Sequence, residues 1–133
     1  MKEIKVKPIV RGTVEGEAIV SPTPISFLGD IDPNNGKVRD RNNPLFGASI
    51  TNKIFIFPQG KGSTVGSYVI YGLRVNEVAP LAFVVNKAET IVIAGAILAN
   101  IPLFEQIEGN ISKVIKNGDT LRIDSEKESL LLD

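Results

Sequence analysis

The chain has 133 residues, with 15 Lys plus Arg against 15 Asp plus Glu, no Cys and no His. A zero formal charge argues against a general nucleic-acid or membrane-surface binder. The missing thiols and imidazoles exclude disulfides, thiolate nucleophiles, Cys-ligated clusters and His-based acid–base work, leaving Asp, Glu, Lys, Tyr or an activated hydroxyl to move protons.

The length suits one unit over residues 1–133, burying very roughly two-thirds of the unfolded surface. The first residues, Met1 to Lys7, are charged and lack the apolar core of a signal peptide. The most apolar later run, Thr90 to Ala99, is shorter than the ~20 residues a bilayer span needs. These features read as a cytoplasmic protein. The absence of Cys and the single Met suit a hot habitat.

In chain order, Ile4 to Val10 predicts a strand, with Lys5 and Lys7 alternating against Val6. Gly12 to Gly16 predicts a turn and Glu17 to Ser21 a second strand, the pair reading as a hairpin. Pro22 and Pro24 end it, and Ile25 to Leu28 is a short apolar piece. From Gly29 to Gly47 the composition is turn chemistry, rich in Asp, Asn, Gly and Pro. The expectation there is a long, exposed, flexible loop with one brief extended segment at Val38. Ala48 to Phe57 returns to strand, Val65 to Val75 is a helix, and Ala82 to Val85 is a compact strand. Glu89 to Leu98 predicts a buried helix, its small residues Ala94, Gly95 and Ala96 permitting close packing. Ile101 to Phe104 is a short strand. Ile111 to Ile115 and Thr120 to Ile123 flank the turn Asn117-Gly118-Asp119, and Leu130 to Leu132 closes a last hairpin. The sum is α+β: a closed or folded-over sheet with two or three helices and a βαβα-like middle.

The stretch from Ile54 to Tyr68 holds the chemistry. An apolar strand stops at Pro58, breaks on Gly60 and Gly62, and feeds Ser63 and Thr64 into a helix N-terminus. The glycines permit backbone angles closed to other residues, and the arrangement makes an anion-binding corner. Neither nucleotide motif fits: Gly60-Lys61 is followed by Gly62 where Ser or Thr is required, and Val65 stands where the dinucleotide fingerprint has its third glycine. Two readings of Ser63 remain open. It is a helix N-cap worth ~1 kcal/mol, or a hydroxyl made acidic by glycine-turn amides, the helix end and Lys61. Lys61 is equally a grip for a substrate carboxylate or phosphate, or a solvated loop cation.

Elsewhere, Asp30, Asp32 and Asn34 alternate as in a calcium loop, but Gly36 falls one place late and Arg41 stands where a bidentate Glu is required. Arg39 and Arg41 suit an acidic substrate, or simply a solvated loop. Asn86 to Glu89 sits at a strand end where ligands bind in α/β folds, with Glu89 equally placed to cap the next helix. Arg74 and Glu77 read as a solvated face.

The corner belongs to a longer series: Arg11-Gly12, Gly16-Glu17-Ala18, Ser21 with Pro22 to Phe27, Gly29-Asp30-Ile31-Asp32, and Asn43-Pro44 with Gly47. It continues with Phe57-Pro58, Gly60-Lys61-Gly62-Ser63, Ala79-Pro80, Gly95-Ala96-Ile97, Ile101-Pro102 and Gly118-Asp119. Over nearly the whole chain this series resembles the small, swivel-domain subunit of the aconitase X family. The resemblance implies the swivelling β/β/α domain of aconitases. It implies a hydro-lyase removing water from (R)-5-phosphomevalonate to give trans-anhydromevalonate 5-phosphate, in an archaeal mevalonate route to isoprenoids. It implies a heterodimer with a large subunit carrying a [4Fe-4S] cluster, no cofactor in this chain, and a small phosphorylated hydroxy acid as substrate. It places the proton acceptor on Ser63. Gly60, Lys61, Gly62, Thr64, Ser67 and Arg39 are the candidates for holding the anion. Two alternatives stand beside it: another dehydratase of the family, such as one acting on cis-3-hydroxyproline, or a non-catalytic anion-binding module.

Overall fold

Residues 2–107 and 109–133 are described in a computed structural model. The strands are β1 (Lys2–Val10), β2 (Thr13–Val20), β3 (Ile54–Phe57), β4 (Ala82–Val85), β5 (Leu103–Gln106), β6 (Thr120–Asp124) and β7 (Ser129–Leu132). They close into a barrel in the order β1-β5-β4-β3-β2-β6-β7. Neighbours from β2 through β3 and β4 to β5 are parallel, and the other pairs are antiparallel. Parallel neighbours need long crossovers. These are supplied by the segment holding α1 (Phe27–Asp30), by α2 (Gly66–Val75) and by α3 (Thr90–Ala99). The expected α+β architecture is therefore present, with the sheet closed.

All four residues of β3, and all four of β4, are buried. Alternation along a strand sends successive side chains to opposite faces. Ile54, Ile56, Ala82 and Val84 join Phe104, Leu121 and Ile123 in one core inside the barrel. Phe55, Phe57, Phe83 and Val85 join Phe27, Ile70, Leu73 and Val92 in a second core beneath the helices. α2 and α3 approach closely because Gly95 faces Ile70, where a Cβ would stand 2.5 Å from Ile70 Cδ1. Glu89 begins α3, its Oε1 accepting the Val92 N–H at 3.2 Å, and Asn100 ends it in the left-handed conformation. No described helix is long and apolar enough to cross a membrane.

Several expectations change. β1 and β2 do not pair as a hairpin. The β6–β7 hairpin lies between them in the barrel, pairing with β2 through β6 and with β1 through β7. The region 111–115 contributes a 3₁₀ turn, Ile111–Lys113, rather than a strand, with Asn110 capping it through the Ser112 N–H. The strand expected from Ala48 begins only at Ile54, because Asn52 takes a positive φ just before it. The loop expected to be flexible is laced together instead. Val38 bridges Ile31, Lys37 bridges Ser49, and Ile31, Val38 and Leu45 are buried. Asn43, also buried, donates to Ser21 Oγ at 2.9 Å and accepts from the Leu45 N–H. Arg74 and Glu77 are exposed, as expected, and Arg74 is also engaged: its Nε donates to the Ala99 carbonyl at 2.8 Å, at the end of α3. Of α3, Ile97 and Leu98 lie exposed, so that helix is buried on one side only. Lys53 donates to Glu17 Oε2 at 2.7 Å, and this bond and the Lys53 charge hold the Glu17 carboxyl below its ordinary pKa.

Candidate functional site

Because β2, β3 and β4 run parallel, their C-terminal ends share one rim, the side of open α/β sheets where ligands gather. Three segments leave that rim: 21–26 after β2, 58–65 after β3 and 86–89 after β4. They are tied to one another by backbone bonds. The Ile25 N–H donates to the Gln59 carbonyl at 3.1 Å, and the Lys61 N–H returns to the Ile25 carbonyl at 3.0 Å. The Pro58 carbonyl accepts from both Asn86 and Lys87, at 3.0 and 3.1 Å. The glycine corner is thus held on two sides.

Ser63 stands exposed at its tip. Its Oγ accepts the Val65 N–H at 3.1 Å and its carbonyl accepts the Gly66 N–H at 2.9 Å. α2 begins on Val65, which has no side-chain cap of its own, so Ser63 does the capping two residues earlier. The N–H groups of Gly62, Ser63 and Thr64 bond to no described residue. Of the amides 62 to 65, that of Val65 bonds to the hydroxyl, and the other three stand unpaired among the described residues just before a ten-residue helix. The Lys61 ammonium is exposed and pairs with no carboxylate among the described residues.

The two glycines serve different purposes. Gly62 takes φ +91°, a conformation that favours glycine, and a Cβ there would lie 2.5 Å from Ser26 Oγ. Gly60 does not need an unusual angle, contrary to expectation; it needs space. A Cβ there would lie 2.6 Å from both Glu89 Oε1 and Val92 Cγ2.

The remaining candidates divide. Thr64 is exposed beside Ser63, and its carbonyl accepts the Ser67 hydroxyl at 2.9 Å. Ser67 is buried in the first turn of α2 with its hydroxyl engaged there. Arg39 is exposed, and its Nη2 donates to the carbonyls of Leu28 and Ile31 at 3.2 and 3.4 Å. It closes the end of α1 opposite Ser26, and among the described residues it makes no hydrogen bond to the segment 58–65. Glu89 caps α3, as one of its two readings held.

The sequence reading missed Ser26. It begins α1, and its N–H donates to Asp30 Oδ2 at 2.8 Å. A Ser with an acidic residue four places on is a usable start signal, related to the capping box. Also missed was an exposed apolar rim around the corner: Leu28 on α1, and Val65, Tyr68, Tyr71 and Val75 along α2.

The donor set does not fit an iron–sulfur cluster. The chain has no Cys or His, and among the described residues no group of three or more acidic side chains could hold a metal. The corner presents amides, hydroxyls and one lysine, which suits an anion and a proton acceptor.

A family model described as the aconitase X swivel domain matches residues 3–132. The chain is 50% identical over 125 residues to the phosphomevalonate dehydratase small subunit of Thermococcus onnurineus, covering 94% of each chain. It is 45% identical over 123 residues to the protein of that name from Methanococcoides burtonii, covering 92% of this chain and 90% of the other. Among solved structures, Thermococcus kodakaraensis aconitase X in its holo-form superposes with a TM-score of 0.93 at 45% identity, covering 100% of this chain and 99% of that one.

Proposed function

The chain belongs to the aconitase X swivel-domain family, and we propose that it is the small subunit of a hydro-lyase that dehydrates (R)-5-phosphomevalonate to trans-anhydromevalonate 5-phosphate in the mevalonate route to isoprenoids. The substrate rests on relatives of that name matched along almost their whole length. The observation that carries the mechanism is Ser63, exposed with its oxygen turned to the helix start. The [4Fe-4S] cluster is assigned to a large partner subunit in the cytoplasm, since this chain lacks the ligands, and the steps below are those of this chain alone.

Dehydration beside a carboxylate removes a proton from the α-carbon. The C–H electron pair becomes the new double bond, the β-hydroxyl leaves with the C–O pair as hydroxide, and the proton taken from carbon, released from the base at the end of the cycle, completes the water. In this reading Ser63 Oγ, as alkoxide, takes the α-proton. An aliphatic alcohol ionises about as reluctantly as water, far above neutrality. One charge-assisted hydrogen bond contributes ~1.5–3 kcal/mol, or roughly one to two pK units. The helix end adds ~0.3–1 kcal/mol at an exposed position. These terms favour the alkoxide but fall short of what deprotonation at neutral pH requires. The remainder calls for a dry, joint cleft in which the same amides act at lower dielectric. Lys61 is the cation for the phosphate or carboxylate.

A partner surface fits this need. Leu28, Val65, Tyr68, Tyr71 and Val75 are 45–68% exposed. Val65, Tyr68, Tyr71 and Val75 follow helical spacing from the corner down α2, so a large subunit seated there also roofs Ser63. Tyr68→Lys is expected to leave thermal unfolding of the chain within about 0.5 kcal/mol of wild type. It is expected to weaken assembly with the large subunit at least tenfold by calorimetric titration. Undiminished affinity would place the interface elsewhere.

The reading as a whole is tested by co-expressing both chains anaerobically and assaying water loss from 5-phosphomevalonate and from cis-3-hydroxyproline. Turnover of the first supports the proposal. Turnover of the second alone moves the chain to another dehydratase of the family, and turnover of neither reduces the corner to an anion-binding module.

A further inference from the structure

We infer that Ser26, which the sequence does not mark out, is a substrate-contacting residue: its hydroxyl donates a hydrogen bond to the carboxylate whose α-carbon Ser63 deprotonates. The inference rests on the dehydratase reading above.

Three observations converge. First, every backbone polar group of Ser26 near α1 has work while its hydroxyl has none. The N–H donates to Asp30 Oδ2, and the carbonyl accepts from the Gly29 and Asp30 N–H groups at 3.1 and 2.7 Å. Oγ caps no helix amide and bonds to no described residue. Second, that hydroxyl is not sealed away. Ser26 is half-buried, and no buried side-chain polar atom among the described residues lacks a partner, so its unpaired Oγ reaches the surface. Third, it lies against the backbone of Gly62, the residue before Ser63, where a Cβ would come within 2.5 Å of Oγ. The parallel bridge between Ile25 and Gly60 fixes the two segments side by side. A side chain at residue 62 would fill the space in which Ser26 Oγ meets the corner.

The chemistry then selects the substrate group. When the α-proton leaves, charge passes from the carbon into the attached carboxylate, whose oxygens become more basic. The carboxylate is bonded to the reacting carbon, whereas the phosphate sits at the far end of the molecule. A donor set against the residue that precedes the base therefore faces the carboxylate. A fixed donor aimed where charge develops lowers the barrier to proton removal, and a hydroxyl supplies one O–H for the purpose.

The test uses the assembled two-chain enzyme. Ser26→Ala is expected to lower kcat/KM for 5-phosphomevalonate by about 10- to 100-fold, the loss of a hydrogen bond to a charged group. Ser26→Cys, of similar shape but a weak donor, is expected to fall in the same direction. Two competitive inhibitors locate the contact. The 3-deoxy analogue of the substrate, which keeps carboxylate and phosphate, should bind both variants about tenfold more weakly. An alkyl phosphate of the same carbon skeleton, without the carboxylate, should bind them as it binds wild type. Equal weakening of both inhibitors, or wild-type kcat/KM in both variants, overturns the assignment. Failure of the wild-type assembly to dehydrate 5-phosphomevalonate would instead overturn the function it rests on.

Discussion

Ser63→Ala is expected to cut turnover of the assembled enzyme by about 10²- to 10⁴-fold, the contribution of a positioned general base. The same change removes the acceptor of the Val65 N–H, so some loss of stability accompanies it, about 0.5–2 kcal/mol for an N-cap replaced by Ala. Ser63→Gly separates the two effects. Glycine serves at an N-cap at a cost of only a few tenths of a kcal/mol, yet it supplies no oxygen. Both variants should lose turnover alike, while only the alanine variant melts measurably earlier. Assembly with the large subunit should persist in both, because the apolar stripe on α2 is untouched. If Ser63→Gly kept near-wild-type turnover, Ser63 would be a cap and nothing more.

The largest expected effect on folding belongs to Phe27→Ala. The Phe27 ring is 1% exposed. It meets Phe55, Phe57 and Phe83 edge-on, with centroids at 6.5, 5.7 and 5.6 Å. Deleting such a ring costs about 3–5 kcal/mol through lost transfer energy and the cavity left behind. That is a large share of the roughly 5–15 kcal/mol that holds a domain together. The urea midpoint should fall accordingly, whereas Phe27→Leu, which keeps most of the volume, should cost about 1.5 kcal/mol or less. A loss under 1 kcal/mol for Phe27→Ala would mean that α1 is not anchored by this ring. Because Ser26 and Leu28 flank Phe27, the substitution also loosens one wall of the corner.

The parts legible in the sequence were those in which local pattern and tertiary environment agree. β4 occupies the expected Ala82–Val85 because strands buried on both faces read as continuous apolar runs. α2 begins at Gly66, one residue later than expected, just after the Ser63-Thr64 pair that turn chemistry marks. α3 was read correctly through a β-branched run, since Glu89 and Asn100 supply its ends. Pairing was not legible. β1 and β2 are joined by two residues and look like a hairpin, yet each finds its partners far along the chain. The burial of Val38 and Leu45 was hidden because Val38 stands alone, and Leu45 with only Phe46 beside it, among turn formers, with no period to mark them. In the corner, the glycines, Lys61 and Ser63 announced themselves by composition. Ser26 did not, because what distinguishes it is a contact with Gly62 across 36 positions of sequence.

Closure of the barrel also dictates an order of events during synthesis. β1 emerges first, but it seats against β5, with Val6 opposite Gln106, and against β7, with Lys2 opposite Leu132. Until those strands are made, both of its edges stand open, and unpaired edges are templates for wrong pairing with other chains. Contacts so distant in sequence also make for slow folding. The β7 strand therefore acts as the latch of the barrel, closing it on β1 after the residues that frame the glycine corner have already been laid down.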